Sequence, residues 1–183
     1  ANVTFELLDT RGLPSEGVKA ALGWGSSVDV IVGASRSAVS GPTSLAAQVY
    51  DVPVLSYAST AVSLSDKDSY PLFHRTVPPD AEAADAMASL LAFLNFTRIG
   101  IMFINDPWGN GYANDLTAAG VQKGVHVAVS RKYATRDRAS IRAAASAMSG
   151  SGVRVIVCFM FSQDLLDIVD VSSELGMLRV EHA

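Results

Sequence analysis

The sequence predicts an α/β fold with mostly parallel sheets covered by helices on both faces, and three observations carry that expectation. Apolar runs of strand length alternate with amphipathic stretches of helix length along the whole chain, which is the signature of βα units. The run Pro53 to Tyr57 stops abruptly at Ala58-Ser59-Thr60, so small hydroxyl residues are presented where a buried strand ends. The 183 residues are 49% hydrophobic and 17% charged, which describes a globular chain long enough to bury a sizeable core.

The elements follow in order. Residues 3 to 8 read as a strand whose beginning is clipped. Residues 14 to 24 read as an amphipathic helix started near Ser15 and stopped around Gly23 and Gly25. Val28 to Gly33 is a buried strand, and a Ser-rich loop from Ala34 to Ser44 leads into the helix SLAAQVY, with Gly41-Pro42 delaying that helix or kinking its first turn. Pro53 to Tyr57 is the next strand, Ala61 to Tyr70 is a loop with turn chemistry at Ser65, Asp66 and Asp68, and Leu72 to Val77 is extended. Pro78-Pro79-Asp80 starts a helix running to about Asn95, with Ala84, Met87, Leu91 and Leu94 on one face. A second βα series follows: strand 98–104, loop 105–110, helix 111–123, strand 125–131, helix 138–149, strand 153–160 and helix 163–175. The chain therefore divides near residue 96 into two lobes, 1–96 and 97–183, each with about three strands and each expected to be incomplete. Leu178 to Val180 reads as the opening of a further strand.

Composition and motifs exclude several classes. No apolar run reaches the roughly 18 residues that cross a bilayer. The start, ANVTFELLDTRG, has no apolar leader region and no initiator Met, so the chain reads as an internal piece. A net charge of −4 without a basic patch argues against nucleic acid as a partner, and Arg131, Lys132, Arg136, Arg138 and Arg142 read as a solvated loop and helix start. His74, His126 and His182 form no i, i+4 pair and have no nearby cysteine, so no metal site is expected. The single cysteine, Cys158, lies in an apolar run and reads as a buried small hydrophobe. The nucleophile elbow, the dinucleotide fingerprint, the P-loop and the calcium loop are all missing or broken. A non-enzymatic protein without a cofactor is the expectation. Asn2-Val3-Thr4 and Asn95-Phe96-Thr97 fit the glycosylation triplet, which matters in a secreted chain.

Polar groups at strand ends suit a small zwitterion. A carboxylate is met by hydroxyls and free backbone N–H groups, which Ser37 near a helix start and Thr60 after a strand can supply. An ammonium is met by a carboxylate and an aromatic face, for which Asp80 and Trp108 are the candidates. Each also has a plain structural reading: Asp80 as a helix cap, Ser37 as a turn residue and Trp108 as packing over its loop.

The run from Val30 to about Leu175 resembles the receptor family ligand-binding region, which has the type I periplasmic-binding-protein fold of two Rossmann-like lobes. The family includes class C G-protein-coupled receptors, natriuretic-peptide receptor cyclases, ionotropic glutamate receptor amino-terminal domains and bacterial amino-acid binding proteins. The matching segments are IVGASRSAVS, VPVLSYASTAVSLSDKDSYPLFHRTVPPD, AEAADAMASLLAFLNFTRIGIMFIND, WGNG and VRVIVCF. YAST and LSDKDSYPLFHRTVPPD look closest to metabotropic-glutamate-like receptors. The resemblance implies that Ser37 binds the ligand carboxylate, that Ala58 contacts ligand through its backbone, and that Thr60 hydrogen-bonds the amino-acid head group. It further implies that Asp80 stands on the amine side and that Trp108 falls where those receptors usually carry Tyr. Arg36 and Ala38 depart from the family by standing where glutamate receptors have further serines.

Taken together, the resemblance implies a partial ligand-binding module of a cell-surface receptor. First-lobe groups Ser37, Thr60 and Asp80 capture an amino-acid-like molecule, and Trp108 joins in the closed form. A homodimer through the first lobe is expected, on the extracellular face of a membrane that is reached only through segments outside this chain. A soluble binding protein feeding a transporter, and a peptide-binding or structural module with a degenerate pocket, are the alternative readings.

Overall fold

The computed structural model describes residues 2–178. By its internal contacts the chain forms two compact units, Ala1–Pro79 and Asp80–Ala183.

The first unit contains helix α1 (Pro14–Trp24), strand β1 (Ile31–Val32), helix α2 (Ser37–Gln48) and strands β2 (Val54–Ser56) and β3 (Phe73–Arg75). The strands form a parallel sheet in the order β1-β2-β3, with Ile31 opposite Val54 and Val54 opposite Phe73. Val54 and Phe73 are buried in a core with Ala21, Ile31, Ala47 and Leu64, and each side chain of this size contributes roughly 1.5–3 kcal/mol by leaving water. Helix α1 lies close on α2 because residue 17 is glycine: a Cβ there would stand 2.3 Å from Thr43 Oγ1.

Two expectations for this half are corrected. Residues 3 to 8 form no strand; Val3, Phe5 and Leu7 are exposed and among the described residues β1 pairs only with β2, so the apolar alternation finds no partner there to complete a ladder. Helix α2 begins at Ser37 and passes through Gly41-Pro42 to Gln48, so the predicted loop to Ser44 is mostly helix. The residue before a proline is normally driven from helical geometry by a clash of its Cβ with the proline ring, and Gly41 has no Cβ. The proline forfeits one backbone bond. Burial of Ser37, Val39, Ser40, Thr43, Ser44 and Ala47 along the helix offsets that loss.

The second unit contains helix α3 (Asp80–Phe93), strand β4 (Arg98–Ile104), helix α4 (Pro107–Gln122), strand β5 (His126–Tyr133), helix α5 (Arg138–Gly150), strand β6 (Val155–Phe159) and helix α6 (Leu165–Glu174). Its parallel sheet has the order β5-β4-β6. The central strand β4 is buried at every position after Arg98, and its alternating residues serve two cores. Ile99, Ile101 and Phe103 pack with Ala84, Ala88, Leu91, Ala113 and Leu116 of α3 and α4. Met102 and Ile104 pack with Ile141, Ala145, Met148, Ile168 and Val171 of α5 and α6. This is the layered arrangement the βα alternation predicts. Helix α3, placed in the first lobe by the sequence reading, shares its core with β4 and α4 and so groups with the residues that follow it.

Helix α4 starts at Pro107, earlier than the expected residue 111. Asp106 caps it by accepting from the Gly109 N–H at 2.8 Å, and Pro107 occupies the first turn, where its missing N–H costs nothing. The predicted strand opening at Leu178–Val180 falls, beyond Leu178, outside the described residues, as does His182.

Candidate functional site

In the first unit the carboxyl ends of β1 and β2 meet the start of α2, and the groups there are locked by buried serines. The carbonyl of Ala34 accepts from the hydroxyls of Ser56 at 2.6 Å, Ser59 at 3.0 Å and Ser40 at 3.1 Å. The Ala34 N–H donates back to Ser40 Oγ at 3.0 Å, and the Ser40 and Ser59 hydroxyls lie 2.8 Å apart. Ser56 Oγ also accepts from the N–H groups of Ala58 at 3.3 Å and Ser59 at 3.0 Å, which bends the chain sharply as it leaves β2. From β3, the Arg75 guanidinium donates to the carbonyls of Ser59 at 3.2 Å and Ala61 at 2.9 Å and to the Ser65 hydroxyl. The main chain on both sides of Thr60 is thereby pinned.

This frame presents the first group of sequence-derived residues. Ser37 is the first residue of α2 and is buried, and its Oγ accepts from the Ala61 N–H at 3.1 Å. One lone pair of that oxygen is therefore engaged, while the hydroxyl proton remains available to an acceptor. It sits at the positive end of the α2 dipole, where an anion is favoured. Thr60 is half-buried between the carbonyls that Arg75 holds. Ala58 is exposed with its N–H already engaged by Ser56, so the backbone group it can offer is its carbonyl.

Asp80, expected among the first-lobe groups, and Trp108 both fall in the second compact unit, where Asp80 is the first residue of α3 and largely buried. The Tyr112 phenol is raised above its ordinary value by burial and, further, by the charge of Asp80 nearby. Trp108, in the first turn of α4, lies in an aromatic cluster at the carboxyl ends of β4 and β6. It stacks on Phe161 with centroids 5.1 Å apart and meets Tyr112 and Phe159 edge-on at 6.4 and 6.5 Å, while Tyr112 and Phe159 lie 4.1 Å apart. Gly109 seats that turn: a Cβ on it would stand 2.2 Å from the Ile104 carbonyl oxygen. Trp108 is half-buried, with a ring face on Phe161.

Further along, Asp164 is fully buried and accepts from Thr135 Oγ1 and the Arg136 N–H, each at 2.9 Å. These bonds tie the loop after β5 to the start of α6. The Tyr133 phenol is pushed up by burial first and then by the charge of Asp164. Burial pushes the Cys158 thiol up to about 11. Among the described residues no group of three or more His, Cys, Asp or Glu could hold a metal, and no helix is long and apolar enough to cross a membrane.

Ser37, Ala58 and Thr60 thus converge on one frame, and Asp80 and Trp108 sit at strand and helix ends of the other unit. Spacing did not reveal Arg75, the Ser40-Ser56-Ser59 cage, or the partners Tyr112, Phe159 and Phe161. Trp108 and Tyr112 at i, i+4 on a helix, and Phe159 and Phe161 alternating past a strand, were the available signals.

The chain matches the model of the receptor family ligand binding region over residues 1–182. It is 35% identical over 100 residues to metabotropic glutamate receptor-like protein E of Dictyostelium discoideum, covering 55% of this chain and 12% of that protein. It is 34% identical over 98 residues to G-protein coupled receptor family C group 6 member A of Carassius auratus, covering 54% of this chain and 11% of that protein. Human metabotropic glutamate receptor 8 matches 149 residues at 26% identity, 80% of this chain and 16% of the receptor. The matched stretch is in each case less than one-fifth of the relative's length.

Proposed function

Because the chain belongs to the receptor family ligand binding region, we propose that it is part of the extracellular ligand-binding region of a cell-surface receptor and takes a small molecule bearing both a carboxylate and an amine. An α-amino acid or a close analogue fits that description. The observation that carries the reading is the Ser37 hydroxyl at the start of α2, which accepts from the Ala61 N–H and keeps its own proton to donate. Thr60 adds a second hydroxyl on a main chain held by Arg75. The amine is met by Asp80, by the Ala58 carbonyl and by the face of Trp108.

The acid-binding hydroxyls and the Ala58 carbonyl fall in the first unit, Asp80 and Trp108 in the second, and this division supports signalling by closure. A ligand that contacts both groups favours whichever arrangement of the units lets it do so, and its differential affinity sets how far the population shifts. Dimerisation through the first unit is part of the proposal, supported by exposed apolar residues on its helices, Leu22 and Leu45, and by Val49 just past the end of α2.

Calorimetric titration of the intact ectodomain with free amino acids, their amides and their N-acetyl derivatives tests the reading. Free amino acids should bind, and blocking either end should abolish or greatly weaken binding. Asp80→Asn should weaken the free amino acid by about 1.5–3 kcal/mol, the range for a hydrogen bond to a charged group, with the fold intact. Undiminished binding of an amide or an N-acetyl derivative overturns the head-group assignment.

A further inference from the structure

We propose that Asn95 is the acceptor of an N-linked glycan and that the glycan covers the apolar end of α3; this rests on the extracellular placement proposed above. Asn95-Phe96-Thr97 fits the acceptor triplet, and all of its residues are exposed. The helix ends there through main-chain groups alone. The Asn95 N–H donates to the Ala92 carbonyl at 3.0 Å and the Phe96 N–H to the Leu91 carbonyl at 2.8 Å. Asn95 itself takes a φ of +58°, the left-handed closing residue of a Schellman turn. Glycine meets that backbone requirement with less strain. The Asn95 carboxamide and the Thr97 hydroxyl take no part in closing the turn, and both lie on the surface where an enzyme can reach them.

The surroundings give the modification a physical role. Leu90, Phe93, Leu94 and Phe96 are 50, 85, 46 and 40% exposed. A soluble surface seldom leaves such a run of large apolar side chains bare. A glycan anchored among them sets the C–H faces of its sugars against the rings and keeps its hydroxyls in water.

In the transfer, Asn95 Nδ2 forms a bond to C1 of a lipid-linked oligosaccharide as the C1–O bond to the lipid pyrophosphate breaks. The lipid pyrophosphate leaves and the displaced amide proton passes to solvent. The oligosaccharide donor is the co-reactant, supplied by the secretory compartment.

The test uses the intact receptor expressed in a eukaryotic secretory host. Peptide mapping after enzymatic glycan release in heavy-oxygen water reads each triplet separately, which keeps Asn95 apart from Asn2. The Asn95 peptide is expected to carry the label; Asn95→Gly and Thr97→Val should lose it and Thr97→Ser should keep it. Surface labelling of the same cells reports the placement independently. A receptor that reaches the surface with Asn95 unmodified overturns this proposal and leaves the placement standing, whereas a receptor that is unmodified and never surfaces overturns both. For the covering role, the secreted Asn95→Gly ectodomain should bind more of an apolar dye at a Tm no lower than that of the unaltered one, and equal dye binding removes that role.

Discussion

The two units meet their tasks at comparable places, the carboxyl ends of parallel strands, with opposite physics. In the first, directional bonds do the positioning: Ser40, Ser56, Ser59 and Arg75 fix main-chain groups through hydroxyls and a guanidinium. In the second, Trp108, Tyr112, Phe159 and Phe161 pack ring against ring around a helix start seated by Gly109. A hydrogen-bonded frame is intolerant of deletion where the lost partner strands a buried polar group, as the Ser59 N–H would be without the Ser56 hydroxyl. An aromatic cluster is held by dispersion and area, which conservative changes in shape largely preserve. The contrast suits the proposed ligand: an anionic end needs donors fixed in direction, while a cationic end is met by a carboxylate and the negative face of an aromatic ring.

The largest expected effect comes from unseating the aromatic cluster. Gly109→Ala places a methyl 2.2 Å from the Ile104 carbonyl oxygen, a main-chain atom that cannot turn aside. Overpacking there should cost about 3 kcal/mol, visible as a large fall in Tm of the intact ectodomain; an unchanged Tm contradicts the tight seat. Next, Ser56→Ala removes a buried hydroxyl that serves the Ala34 carbonyl and the N–H groups of Ala58 and Ser59. A loss of about 2 kcal/mol is expected, against less than about 1.5 kcal/mol for Phe159→Leu in the other unit. Denaturant unfolding of the pair sharpens the contrast, and a larger cost for Phe159→Leu than for Ser56→Ala reverses it.

A smaller effect should separate capture from closure. Trp108→Ala removes a cation–π face worth about 1 kcal/mol to a partly desolvated amine and should leave the Ser37 and Thr60 contacts untouched. Scattering at saturating ligand should then show a more open ectodomain than the unaltered one, and identical profiles would remove Trp108 from closure. The smallest effect is alkaline. The folded Cys158 thiol stays neutral up to about 11 while the unfolded thiol titrates near 9.0, so its contribution is intact below pH 9 and is lost as pH rises toward 11. By pH 10 this amounts to about 1 kcal/mol. It should vanish in Cys158→Val, and a variant equally sensitive to alkali assigns the loss elsewhere.

Much of the second unit was legible because its signals are local. IGIMFI, after Arg98, is buried on both faces and reads as a continuous apolar run, and α3 carries its apolar residues at helical spacing. Asp106-Pro107 was a cap and first-turn pair that the sequence displayed, yet the glycines at 109 and 111 masked it as loop. The first unit was harder. The helix through Gly41-Pro42 depends on what α2 buries, and the strand expected over 3 to 8 lacks a neighbour to pair with; both are tertiary facts. In the site, residue types at strand ends pointed to Ser37, Thr60 and Asp80, but the unit that holds Asp80 depends on the packing of α3. The serine cage was invisible for a related reason. Ser40, Ser56 and Ser59 are ordinary in sequence and become a cage only because β1, β2 and α2 bring them to one carbonyl.

That carbonyl has two lone pairs and three hydroxyls reaching for it. At any instant only two of the three can bond to it at full strength, and the 2.8 Å separation of the Ser40 and Ser59 oxygens gives the odd proton somewhere else to go. The heavy atoms of the cage are therefore fixed while its protons have more than one arrangement. The proposed carboxylate, held at Ser37, would meet a neighbouring frame that is solid in shape and whose hydroxyl protons can turn without displacing any side chain.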